Sequence, residues 1–72
     1  MSDDPTLIRK RSVSIAGHAT SVSMEDAFWQ RLGAIADTEG VSVSALIRRV
    51  DEQRTGNLSS ALRVFVLEYQ SP

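Results

Sequence analysis

The side chains of this chain that could do chemistry are few, and their types suit holding an anion better than transforming one. Arg9, Lys10 and Arg11 are consecutive, and no acid lies between Pro5 and Met24. Such a run can neutralise phosphates, or it can simply be solvated surface. His18 is the single histidine and cysteine is absent. One chain therefore cannot assemble a thiolate or imidazole metal cluster, and His18 reads as a solvated turn residue. There is no glycine-rich phosphate loop. The carboxylate pairs Asp3-Asp4 and Asp51-Glu52 are sequence neighbours, a pattern of solvated surface rather than of acid/base catalysis. The reading is a protein that is not an enzyme and carries no metal and no cofactor.

The elements that must position these residues follow from hydrophobic period. In residues 20–24, Val22 and Met24 alternate with Ser21 and Ser23, the period of a strand with one buried face. From Ala27 the apolar positions Phe28, Leu32, Ile35 and Ala36 form a helical stripe. Ser23 with Asp26 reads as a capping box, and Gly40 can take the left-handed conformation that closes the helix after Glu39. Ser42 caps a second helix with the stripe Val43, Leu46, Ile47 and Val50, expected to end near Thr55 with Gly56 as its cap. Trp29, with Leu32, Gly33 and Ala36, makes a second packing seam, on a helix expected to lie away from the basic run.

The stretch 20–50, with its T-S-V-x-M strand, E-G helix end and S-x-S-A-L-I-R-R helix start, resembles the ribbon-helix-helix proteins of the Arc/MetJ type. With the flanks RSVSIAGHATSVSMEDAFWQRL and NLSSALRVFVLEY, the whole chain is similar to a group of small bacterial ribbon-helix-helix proteins. The resemblance implies a mainly helical fold with a short β ribbon, built as an intertwined homodimer that binds double-stranded DNA as a transcriptional regulator or repressor. It implies base contacts from Ala19, Ser21 and Ser23, and phosphate contacts at Ser42, Val43 and Ser44, where a helix N-terminus favours anions. The dimer core would be Val22, Met24, Phe28, Leu32, Ile35, Leu46, Ile47 and Val50. Family ribbons commonly present Arg, Lys, Asn or Gln; Ala19 offers only a methyl group and the serines bond almost any base, so discrimination should be weak.

Two additions extend the minimal domain. Arg11, Val13 and Ile15 alternate with Ser12 and Ser14, a second strand within residues 9–15. A turn at Gly17-His18 would set Ala16 opposite Ala19, Ile15 opposite Thr20, Val13 opposite Val22 and Arg11 opposite Met24. Four strands spaced ~4.8 Å apart would fill a major groove ~12 Å wide. The first strand could therefore leave the ribbon as an arm along the phosphates, it could pair elsewhere, or the sheet could serve something other than DNA. The second addition is a third helix over residues 57–70, capped by Asn57, with Leu58, Ala61, Leu62, Phe65, Val66 and Tyr69 on one face. It should cover the core, build a tetramer or receive a protein partner.

Length and charge bound the rest. With 72 residues and no cysteine there is room for one domain over residues 9–72, preceded by a flexible arm over 1–8. Its core should yield only ~3–5 kcal/mol, which favours dimerisation. Net charge is −1 and the pI is near 5.7. That average hides a segregation: Arg9, Lys10 and Arg11 join Ser42, Val43 and Ser44 as the expected phosphate contacts, while most acids lie on helices. No segment reads as a signal peptide or membrane span, so the expected location is the cytoplasm. The alternative function is a protein interaction or oligomerisation module on the same scaffold.

Overall fold

The computed structural model describes residues 4–70. Two strands, β1 (Ile8–Ile15) and β2 (His18–Glu25), form an antiparallel ribbon, and three helices follow: α1 (Asp26–Glu39), α2 (Val43–Gln53) and α3 (Leu58–Glu68). The helices pack on one face of the ribbon.

The ribbon is paired from Ile15↔His18 to Ile8↔Glu25. This is two residues away from the expected register, which paired Ile15 with Thr20; Val13 instead faces Thr20 and Arg11 faces Val22. The turn is Ala16-Gly17, with φ of 51° and 84°, so both central residues are left-handed as a type I′ hairpin requires. Ala16 consequently sits in the loop and pairs with nothing, while His18 opens β2 and is exposed. Because side chains alternate with period two, this slip leaves every residue on its expected face.

The start of α1 is held from a distance. Its N-cap, Glu25, makes no side-chain cap bond, and the expected Ser23/Asp26 capping box does not form because Ser23 is still within β2. Instead the Leu7 carbonyl accepts from the Asp26 N–H at 2.8 Å and the Pro5 carbonyl from the Ala27 N–H at 3.0 Å, satisfying two first-turn donors. Of the arm expected over residues 1–8, residues 1–3 lie outside the described residues. Residues 4–7 form a turn in which Asp4 Oδ1 accepts from the Thr6 N–H and hydroxyl at 2.9 and 2.7 Å, and Ile8 already belongs to β1.

The other helix ends are local. Gly40 closes α1 at φ 71°, Ser42 Oγ accepts from the Ala45 N–H at 3.0 Å, and Asn57 Oδ1 accepts from the Ser60 N–H at 3.0 Å. The second helix stops at Gln53, short of the expected Thr55 and Gly56. Arg54 turns to extended backbone, and its side chain donates to Asp51 Oδ1 at 2.7 Å and the Gly56 carbonyl at 2.6 Å.

Val22, Met24, Leu32, Ile35, Leu46 and Ile47, named above as a dimer core, are buried within one chain, with Phe28 and Val50 half-buried against them. They are covered there by α3, which places Leu62 and Val66 on the cluster. Each such fully buried side chain is worth ~1.5–3 kcal/mol. At its far end Tyr69 donates to Glu39 Oε2 at 2.7 Å, tying α3 back to α1. No helix among the described residues is long and apolar enough to cross a membrane.

Candidate nucleic-acid interface

Strand alternation gives the ribbon two chemically different faces. The face turned away from the helices carries Lys10, Ser12 and Ser14 from β1 and Ala19, Ser21 and Ser23 from β2, with Ser12 opposite Ser21, Ser14 opposite Ala19 and Lys10 opposite Ser23. All are exposed except Ser23, which is half-buried. Hydroxyls both donate and accept, so the face can meet either kind of hydrogen-bonding group. Its one acid is Glu25 at the ribbon's base, whose carboxylate takes a 2.8 Å bond from Arg63 Nε. That bond holds the Glu25 carboxyl below its ordinary pKa and matches its charge. The expected readers Ala19, Ser21 and Ser23 thus share a face with Ser12 and Ser14, which sequence reasoning assigned no role although their alternation was visible.

The outer edge of β2 is not uniform. The Ser23 N–H donates to Ser59 Oγ at 3.2 Å, and the Ser23 carbonyl accepts from the Arg63 guanidinium at 3.4 Å. Both peptide groups of Ser23 therefore point away from β1 and are taken by α3. In an antiparallel pair such residues alternate, so the peptide groups of Ala19 and Ser21 lie along the same edge.

The basic run is split between the faces. Lys10 lies on the outer face and makes no ion pair among the described residues. Arg9 lies on the helix-facing side with Nε 2.9 Å from Asp26 Oδ1, an ion pair not aligned as a hydrogen bond. The Arg9 carbonyl accepts from the Trp29 indole N–H at 3.0 Å, and the Arg11 guanidinium lies 5.0 Å from the Trp29 ring centroid. Trp29 is therefore not remote from the basic run: β1 returns across the first turns of α1 and lays it over the indole. A cation–π contact of this exposed kind is worth ~0.5–1 kcal/mol.

At the start of α2, Ser42 and Ser44 are exposed and Val43 is half-buried against the core. The Ser42 hydroxyl is engaged as the cap. The amides of the first turn are not used by the helix itself, and no acid lies in that turn. This helix packs against β1. Among the described residues no group of three His, Cys, Asp or Glu side chains could hold a metal ion.

A family model described as a ribbon-helix-helix domain matches residues 8–70. The fold is also that of a solved structure, an uncharacterized protein from Bordetella pertussis Tohama I, with 33% sequence identity and a TM-score of 0.76 over 93% of this chain. The match spans 58% of that longer chain. No curated protein matches the chain.

Proposed function

The chain belongs to the ribbon-helix-helix domain family, and from that premise we propose that it is a homodimeric regulator of transcription that sets the outer face of its ribbon into the major groove of double-stranded DNA. Members of this family are generally DNA-binding transcription regulators and typically bind as dimers. The observation that carries the reading for this chain is the outer face itself. Lys10, Ser12, Ser14, Ala19 and Ser21 are exposed there, and the one carboxylate of the face is paired with Arg63. Ala19, Ser21 and Ser23 contact bases, while Lys10, the ends of Arg9 and Arg11 and the amides at Ser42, Val43 and Ser44 hold phosphates. Affinity comes mainly from phosphate neutralisation and falls with salt.

The test is a mobility-shift titration against genomic fragments, including the region upstream of the protein's own gene, with random duplex as competitor at several salt concentrations. A retarded species whose affinity falls log-linearly with salt is expected. Absence of any complex with duplex at low salt overturns the reading.

A second surface favours an additional role in assembly. On α3, Val64 is 51% and Leu67 80% exposed, an apolar pair that suits a tetramer contact or a protein partner. Light scattering of Leu67→Ser against wild type tests it: a lower mass for the variant supports the role, and equal masses with equal concentration dependence count against it.

A further inference from the structure

We propose that α3 guards the pairing edge of β2 in the single chain: Ser59 and Arg63 hold the peptide groups of Ser23 until the β2 strand of a second copy takes them, so that a dimer closes through this edge only as the clasp opens. The proposal rests on the homodimeric reading above and goes beyond it by naming the contact that opposes assembly.

The first argument is exclusivity. The residues of β2 whose peptide groups point away from β1 are Ala19, Ser21 and Ser23. Those of Ala19 and Ser21 bond to no other element among the described residues, so this stretch is an open edge able to receive another strand. A two-fold axis at Ser21, the middle residue, brings all of these groups into use: Ser21 meets its own copy, and Ala19 of each chain meets Ser23 of the other. Such a pair exchanges both N–H···O bonds. The Ser23 N–H has one proton, and it is already given to Ser59 Oγ. The clasp and the partner strand cannot hold it together.

The second argument is strength. The clasp bonds measure 3.2 Å to Ser59 Oγ and 3.4 Å from Arg63, longer than the ~2.9–3.0 Å of a well-formed N–H···O bond. Ladder bonds of ordinary length therefore displace them.

The third argument is that opening leaves the core in place. Ser59 lies in the first turn of α3, where helices fray, while Leu62 and Val66, which seat the helix on the core, come in later turns. Arg63 is a long side chain with a second anchor, its Nε lying 2.8 Å from Glu25 Oε1, so its guanidinium can leave the Ser23 carbonyl without losing its ion pair. Lifting the first turn of α3 frees the edge. A strand edge covered at one end in this way yields to a strand that offers the full antiparallel match and resists other extended chains.

The experiment compares wild type, Ser59→Ala and Ser60→Ala by sedimentation equilibrium without DNA, with circular dichroism confirming the fold of each. Ser60 is exposed on the same helix, so its replacement is the control for the change of residue type. Loss of the Ser59 hydroxyl weakens the closed chain and not the dimer, and both copies must open. Ser59→Ala should therefore lower the dimer dissociation constant by about 5- to 150-fold, and Ser60→Ala should leave it unchanged. An unchanged or higher constant for Ser59→Ala overturns the clasp while the homodimer stands. If the dimer persists at the lowest concentration, the urea midpoint decides: equal values for the two variants support the proposal, because the bond is absent from the dimer, and a lower midpoint for Ser59→Ala overturns it. A wild-type chain that stays monomeric throughout refutes the homodimeric reading and this proposal with it, whereas a failure to bind duplex in the mobility-shift titration touches only the DNA-binding reading.

Discussion

Replacing Leu62 with Ala tests whether α3 is structural or an appendage. Leu62 is 0% exposed and packs among Val22, Met24, Leu32, Leu46 and Ile47, side chains contributed by the ribbon, α1 and α2. Truncation removes the buried isobutyl group and leaves a cavity that three elements must collapse to fill, a change costing ~2.7–5.0 kcal/mol at comparable sites. A domain of this length has only ~3–5 kcal/mol from its core, so the loss approaches the whole of its stability. In a 60–100-residue domain each 1 kcal/mol is worth ~4–8 °C in Tm; Leu62→Ala should lower the melting temperature by at least ~10 °C or leave no cooperative transition. Leu67→Ala, further along the same helix but 80% exposed, is the matched control and should stay within ~0.5 kcal/mol of wild type at low protein concentration. The assay is thermal and urea unfolding followed by circular dichroism, repeated over a range of protein concentrations. A Leu62→Ala shift of less than ~4 °C would refute the argument that α3 completes the core.

Two further outcomes follow from the turn and from the foot of the ribbon. Ala16→Asn should raise stability by about 0.5–1 kcal/mol, because Asn-Gly tolerates the left-handed pair of φ angles better than Ala-Gly, and an unchanged or lower melting temperature would contradict the turn assignment. Because the folded carboxyl of Glu25 titrates below its ordinary value through the Arg63 hydrogen bond, its contribution is present above the unfolded pKa and is lost as pH falls through the folded one. Glu25→Gln should therefore lose stability less steeply than wild type below about pH 4.3, read as melting temperature against pH; parallel curves would count against the ion pair.

Much of the architecture was legible because its signals are local. Ser42, Asn57 and Gly40 announce helix ends within four residues of the groups they satisfy, and the alternation around Val22 and Val13 marks both strands. The errors all involve contacts between distant residues or degenerate patterns. Hydrophobic alternation cannot separate registers that differ by two, and nothing in the sequence marks Ala16 rather than His18 as the residue that shares the turn with Gly17. The donors at the start of α1 are met by carbonyls of Pro5 and Leu7, far back in the chain, so a local search for a cap found Ser23 instead. The candidate interface was half visible: Ala19, Ser21 and Ser23 do share a face, but the division of Arg9, Lys10 and Arg11 between faces depends on the ribbon folding back over Trp29. The burial within one chain of residues named for a dimer core reflects α3, whose stripe was readable and for which covering the core was one of three expected placements.

The placement of Trp29 gives the molecule an intrinsic optical reporter. It is the sole tryptophan, buried at the ribbon–helix junction, bonded through its indole to the Arg9 carbonyl and overlain by Arg11. Excited at the red edge of its absorption, where Tyr69 does not absorb, its emission follows the seating of β1 on α1. Lifting the strand would wet the indole and remove the guanidinium from its ring, shifting the spectrum to the red. Ribbon detachment can thus be timed by stopped-flow fluorescence separately from helix melting, without attaching a dye to the surface under study.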